Sequence, residues 1–493
     1  MNRSSTAVTT LRRAANWING VPRFEGPLHD SIDPATYQVI GNYPENGLNA
    51  AMAGVAAASK AFITTPWARD HELRARVLEQ LAAAFERNRE GLLEVLSLEN
   101  GKIKREAAFE LDMVPSKLRY YGAAALMEAG RALRPKPGRL SMILRQPMGV
   151  AAVIAPWNSP VVLTIRSLAP ALAAGCTTVI KLPAQVAQTA SMMARIMGQA
   201  EDLPHGVINL FFESGADGSS YLVNTSHVPV VSFTGATRTG RTIAAAGASN
   251  LKRFGMELGG KTPMIVFDDA DLGLTLPVLE KSLTVFAGQF CMTGSRLLVQ
   301  DGVYAQVRDS IAERLRRVKL GPASDPTSDM GPLIDRANVE RVELMVETAL
   351  RAGAKAIVRG GAIKYGALAK GAFFQPALLE VSDNLLEIVQ QEVFGPVLTL
   401  QRFSDEAEAV RLANSTAYGL AAGVWTRDLD KALRVAEGLD AGSVWVNDWA
   451  RVFDGTEEGG FKQSGLGRLN GLAALEDFVE YKHIALHPGL AGP

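Results

Sequence analysis

Gly149-Val150-Ala151-Ala152-Val153-Ile154 is a short apolar run without a charge, and it opens into Ala155-Pro156-Trp157-Asn158-Ser159-Pro160. A helical stretch at 161–174 follows, then a second apolar run at 177–182. Apolar runs of this length, bounded by turn residues and separated by helices, read as buried strands of a parallel sheet. The alternation continues through helix 186–200, strand 207–212, helix 216–224, strand 229–234, helix 237–247 and strand 252–257. It predicts a doubly wound, mostly parallel α/β lobe.

Beyond it a second alternation places strand-like runs at 263–267 and 295–300 and helices near 272–287 and 303–318. Two α/β lobes are therefore expected, meeting near the flexible pair Gly259-Gly260. Upstream, Leu73, Val77, Leu78, Leu81, Phe85, Leu92, Leu93 and Leu96 recur at helical spacing, which gives one or two amphipathic helices over 67–100 with a break at Gly91. The stretch 360–371, rich in Gly, Ala and Lys, reads as a surface loop. From Gln146 to Ile165 no residue is charged, but Pro147, Pro156 and Pro160 argue against a membrane helix. A buried strand and an active-site loop account for it better.

Composition narrows the function classes. With 493 residues the chain exceeds what one hydrophobic core supports. Lys plus Arg balances Asp plus Glu at 51 each, so no global field draws in a nucleic acid or an anionic membrane. Two cysteines make no disulfide framework, which points to a reducing, cytoplasmic setting. The six histidines have no metal-ligand spacing, and a metal site is not expected. Residues 1–24 hold four arginines and no acid until Glu25, the composition of a transit peptide or of a short arm. Because the stretch merges into Trp17-Ile18-Asn19-Gly20, a strand and turn, the arm is the favoured reading.

Several residues at the ends of these strands carry chemistry. Cys291, in Gln289-Phe290-Cys291-Met292-Thr293-Gly294, sits in a turn leading into a strand, where a thiolate is a strong nucleophile; a lone cysteine is otherwise a small buried hydrophobe. Asn158, bracketed by prolines, has the fixed side-chain amide an oxyanion donor needs, although Asn is also a common turn former. Glu257 ends strand 252–257 beside the glycine hinge, placed for a general base or for a pair with Lys261. Phe233-Thr234-Gly235-Ala236-Thr237 turns a strand into a helix, where backbone amides and the helix amino end suit a pyrophosphate. Its Gly235-to-Gly240 spacing lacks the usual dinucleotide fingerprint. Lys181, at another strand end with no acid near it in the sequence, suits ribose hydroxyls or phosphate, or simply solvent.

Taken in order, these stretches resemble the aldehyde dehydrogenase superfamily over nearly the whole chain. The matching segments are Ala155-Pro156-Trp157-Asn158, Phe233-Thr234-Gly235, Glu257-Leu258-Gly259-Gly260-Lys261, Gly288-Gln289-Phe290-Cys291, Glu392-Val393-Phe394-Gly395-Pro396-Val397 and Gly459-Gly460-Phe461-Lys462-Gln463-Ser464-Gly465-Leu466-Gly467. The resemblance implies a cofactor lobe at 1–127 and 148–258, a catalytic lobe at 259–465, and a small β oligomerisation element at 128–147 and 466–493. A homodimer or homotetramer is implied with it. So is oxidation of an aldehyde to the acid, with Cys291 as nucleophile, Asn158 and the Cys291 amide holding the oxyanion, and Glu257 activating water. The cofactor residues it implies are Ala155, Trp157 and Lys181 in the groove, Gly235, Ala236, Gly240 and Leu258 around the phosphate turn, and Glu392 and Phe394 at the nicotinamide end.

The chain also departs from that pattern. Ala184 stands where many members carry a ribose-binding Glu that disfavours a 2′-phosphate, so NADP is allowed, but no new Arg or Lys stands beside Lys181 and NAD is favoured. Ala236 replaces a common Ser, and Arg238 a common Glu. Ser167 and Leu469 occupy positions that relay protons in some members. Arg166, the only charge between Arg145 and Lys181, is a candidate substrate contact, and Phe290 and Met292 would give an apolar pocket. The rival readings are a CoA-acylating semialdehyde dehydrogenase, which needs no base for water, and a non-catalytic structural relative.

Overall fold

Five parallel strands form the centre of the first lobe in the computed structural model, which describes residues 12–127 and 129–486. Their sheet runs in the order Gly465–Leu466, Arg253–Glu257, Val230–Thr234, Val150–Ile154, Thr177–Pro183, Ile208–Glu213, Asn16–Ile18 and Val21–Arg23, with the antiparallel strands at its two edges. Every residue of Val150–Ile154 is buried, because helices cover both faces of the sheet. Among the five parallel strands the chain enters at this central strand, moves outward through Thr177–Pro183 and Ile208–Glu213, then returns to Val230–Thr234 on the other side. That reversal opens a crevice beyond Ile154 and Thr234, the place where such sheets bind ligands.

The second lobe repeats the architecture. Its seven strands run Lys355–Val358, Ala377–Glu380, Val397–Phe403, Arg296–Gln300, Pro263–Val266, Ala421–Trp425 and Ser443–Val446, parallel except for the first. Two doubly wound lobes are thus present as the alternation predicts. The carboxyl ends of the first sheet meet the amino ends of the second. Glu257 ends one strand, Pro263 begins another, Cys291 precedes Arg296–Gln300, and Glu392 and Phe394 precede Val397–Phe403.

The glycine pair joining the lobes is set by close approach. A Cβ on Gly259 would lie 2.4 Å from Glu392 Oε2, and one on Gly260 2.4 Å from the Cys291 carbonyl oxygen. In the upstream helices the expected break moves. Helix His71–Arg87, capped by Asp70 accepting from the Leu73 amide, ends at Asn88, whose side-chain amide donates to the Ala84 carbonyl. Gly91 lies inside the next helix, Arg89–Asn100, so the terminating signal is a side chain bonding back onto the last turn and not the glycine.

A three-stranded antiparallel sheet stands apart, built from Arg131–Leu133, Leu140–Pro147 and Val479–Leu486. It lies within the segments 128–147 and 466–493 of the expected β element, whose residues 128 and 487–493, like residues 1–11 of the arm, lie outside the described ones. Leu133, Leu144 and Tyr481 are exposed on it. The loop expected at 360–371 is at the surface, with a short bridge at Gly361–Ala362 and one turn of helix at Ala367–Lys370. Among the described residues no helix is long and apolar enough to cross a membrane.

Candidate active site

Cys291 is carried by a strained approach. Phe286, Ala287 and Gly288 all take positive φ, at 52°, 54° and 71°. For the two non-glycine residues this costs about 1–2 kcal/mol each. Buried contacts hold it in place: the Phe286 amide donates to Glu106 Oε1 at 3.0 Å, and Gln289 Oε1 accepts from the Ile334 amide at 2.9 Å. The turn leaves Cys291 partly exposed between the lobes. Burial of its sulfur pushes the thiol up to about 12; Arg166 pulls it down, and Glu458, Glu392 and Glu257 push it further up.

Asn158 reaches the same turn from the first lobe. Its Nδ2 donates to the Gln289 carbonyl at 2.9 Å, which uses one of the two amide hydrogens and leaves the other for a ligand oxygen. A pair that sequence reasoning missed fixes the loop. Lys102 Nζ donates to the Asn158 carbonyl at 2.7 Å and to Glu110 Oε2 at 2.5 Å, and both side chains are almost wholly buried. The other oxygen of Glu110 accepts from the amides of Val161 and Val162 at 2.8 and 3.2 Å, capping helix Pro160–Ala174 in the first turn after the loop.

Glu257 is 4% exposed, its Oε1 has no partner, and it makes no ion pair with Lys261. Burial raises its carboxyl to about 8, opposed by Arg166 and reinforced by Glu458. A group titrating there is matched to proton transfer near neutrality. Lys261 lies instead in the field of Glu392, and burial brings it down to about 7 and Glu392 up to about 7. Glu392 Oε1 accepts from the Gly260 amide at 3.2 Å. Phe394, at φ 50°, packs edge-on against Trp157 with ring centroids 5.5 Å apart.

The remaining cofactor candidates line the crevice of the first sheet. Ala155 continues its central strand, its amide donating to the Lys181 carbonyl at 3.1 Å. Gly235 and Ala236 form the turn after Thr234, and Thr237–Gly247 follows as a helix whose Gly240 abuts Leu258; a Cβ there would meet that side chain at 2.6 Å. Lys181 is less isolated than its sequence neighbours suggest. Burial lowers its pKa, and the carboxylates of Glu213 and Glu45, from other elements, pull it back.

Arg166 lies beside the catalytic candidates but is not free. Nη1 donates to Glu458 Oε1 at 3.0 Å and Nη2 to Thr234 Oγ1 at 3.2 Å, all buried. Phe290 packs edge-on against Phe286 and Trp449, whereas Met292, 1% exposed, packs into the core with Leu420 and Ala421.

The model of the aldehyde dehydrogenase family matches residues 24–484. The chain is 37% identical over 477 residues to the betaine aldehyde dehydrogenase of Bacillus subtilis, covering 96% of each protein. It is 33% identical to the mitochondrial succinate-semialdehyde dehydrogenase of Arabidopsis thaliana, covering 99% of this chain and 93% of that one. Betaine aldehyde dehydrogenase of Staphylococcus aureus, solved in complex with NAD+, superposes with a TM-score of 0.94 at 34% identity over 97% of this chain and 96% of that one. This chain belongs to the aldehyde dehydrogenase family.

Proposed function

We propose that the protein oxidises an aldehyde to the carboxylic acid with NAD through a covalent thioester on Cys291, hydrolysed by water that Glu257 activates. One observation carries this reading. A nucleophile, an amide with a spare hydrogen and a buried, unpartnered carboxylate, each on a different element, converge on the seam between the lobes.

The residues fit a dinucleotide. The turn at Gly235 and Ala236 and the helix amino end behind it face the switch-point crevice, while Lys181 occupies the neighbouring strand end. Glu213 and Glu45 beside Lys181 favour NAD, since a 2′-phosphate would meet both carboxylates. Trp157, Phe394 and Glu392 would hold the far end, at the cysteine. Bound there, the nicotinamide supplies the hydride acceptor.

The chain's own groups do the rest. Cys291 gives its proton up to solvent and adds its sulfur to the carbonyl carbon, and the amides of Asn158 and Cys291 hold the oxygen as charge develops. After hydride loss the carbon is a thioester. Glu257 then takes a proton from water, hydroxide adds, and the sulfur leaves as the acid forms. A CoA-acylating enzyme would not need that base. The exposed sheet bearing Leu133, Leu144 and Tyr481 supports assembly into a homodimer or homotetramer.

An aldehyde panel with NAD and with NADP, with and without coenzyme A, tests the reading. NAD should be reduced without coenzyme A and in preference to NADP; a strict requirement for coenzyme A would contradict it.

A further inference from the structure

The wall beside Cys291 and Glu257 is a single segment, 449–459. At one end Trp449 Nε1 donates to the Met292 carbonyl at 2.9 Å, next to the thiol. At the other, Gly459 lies against the base, so that a Cβ there would be 3.0 Å from Glu257 Oε1. The acid on this wall that turns inward is Glu458, 6% exposed.

Glu458 is the centre of a buried polar chain. Oε1 accepts from Arg166 and Oε2 accepts from Asn470 Nδ2 at 2.7 Å. Asn470 Oδ1 in turn accepts from Lys117 Nζ at 2.6 Å, and Lys117 pairs with Asp454 at 2.8 Å near the surface. The backbone of Glu458 is locked as well, exchanging hydrogen bonds with Leu469 at 2.7 and 2.8 Å. Two cations therefore meet two anions, and no charge is left over. Both Nη nitrogens of Arg166 are engaged, so the end-on fork of the guanidinium is occupied by Glu458 and Thr234, while Nε is buried without a partner. Arg468, another cation in the field of Glu257, donates to the Gly460 and Gly467 carbonyls. A substrate carboxylate arriving here meets a guanidinium whose charge Glu458 already neutralises, and it adds a negative charge beside Glu458 and Glu257.

Resting on the aldehyde-oxidising reading above, we infer that the Arg166–Glu458 pair restricts this site to aldehydes that carry no negative charge, with Glu458 as the residue that excludes a terminal carboxylate. Breaking in would require separating a buried ion pair, which costs far more than an exposed pair returns.

The test compares size-matched aldehydes with NAD: butanal against succinic semialdehyde, and benzaldehyde against para-carboxybenzaldehyde. In the wild type, kcat/KM of the uncharged member should exceed that of its carboxylate partner by about tenfold or more. Glu458→Gln keeps the shape of the side chain and removes its charge; the gap should then narrow by about tenfold, through a lower KM for the carboxylate member. Equal or better use of the carboxylates by the wild type overturns the inference, and that result needs no variant to fold. So does an unchanged ratio in folded Glu458→Gln. Failure of all four aldehydes to reduce NAD would overturn the reading on which it rests.

Discussion

Cys176 and Cys291 are the two thiols of the chain, and acidity does not tell them apart. Burial pushes Cys176 up to about 11 and Cys291 up to about 12. Cys176 is fully buried where the Pro160–Ala174 helix gives way to a central strand, its sulfur 3.3 Å from the Phe478 carbonyl oxygen. Cys291 sits in a turn held by strained backbone, partly open, in the field of a guanidinium and a base. Company and access, more than resting pKa, separate a reactive thiol from a packing one.

The largest contrast should come from removing each sulfur in turn. Cys291→Ala should cost at least about 10⁴-fold in NAD reduction with every aldehyde while nucleotide binding, followed by fluorescence titration, persists. Cys176→Ala should leave turnover within about twofold and lower stability by about 1 kcal/mol. Comparable losses in the two would erase the distinction.

Next in size is the base. Glu257→Gln should slow steady-state turnover by about 10²–10⁴-fold. In the wild type the base works only when deprotonated, so with its carboxyl at about 8 the turnover rate should climb as pH rises through that value. Glu257→Gln should lose this rise; a wild-type profile that is flat there would remove Glu257 from the rate-limiting proton transfer.

A smaller effect probes the support of the Asn158 loop. Glu110→Ala leaves Lys102 buried without its counterion and removes the helix cap, at a cost of about 3–5 kcal/mol. Thermal unfolding should show the lower Tm, and kcat should fall with it as the Asn158 amide loses its anchor. An unshifted Tm would show that the pair is not structural.

What could be read in advance follows how local each signal is. Strand and helix alternation from Gly149 onward depends on neighbours in the chain, and it places both sheets and their seam. Cys291, Asn158 and Glu257 stand out because each ends or begins an element near glycine or proline. The Arg166–Glu458–Asn470–Lys117 chain is not legible in the sequence because it joins segments up to 353 residues apart, and the Lys102–Glu110 pair, though only 8 residues apart, takes its role from a hold on Asn158, 56 residues on. One signal was available. Glu106, Glu110 and Lys117 fall on the apolar face of helix Lys104–Leu126, in register with Ala107, Leu111, Val114 and Leu118. Charges on such a stripe are buried, and buried charges are paired or functional. Lys181 shows the same lesson at the cofactor end, where its acidic neighbours come from remote elements.

A covalent intermediate at Cys291 is the centre of the proposed mechanism, and intact-protein and peptide mass spectrometry of Glu257→Gln quenched during turnover addresses it most directly. With aldehyde and NAD present, the mass should rise by that of the acyl group, on the peptide containing Cys291. An unmodified Cys291 during turnover, or an acyl group on any other residue, would contradict the account.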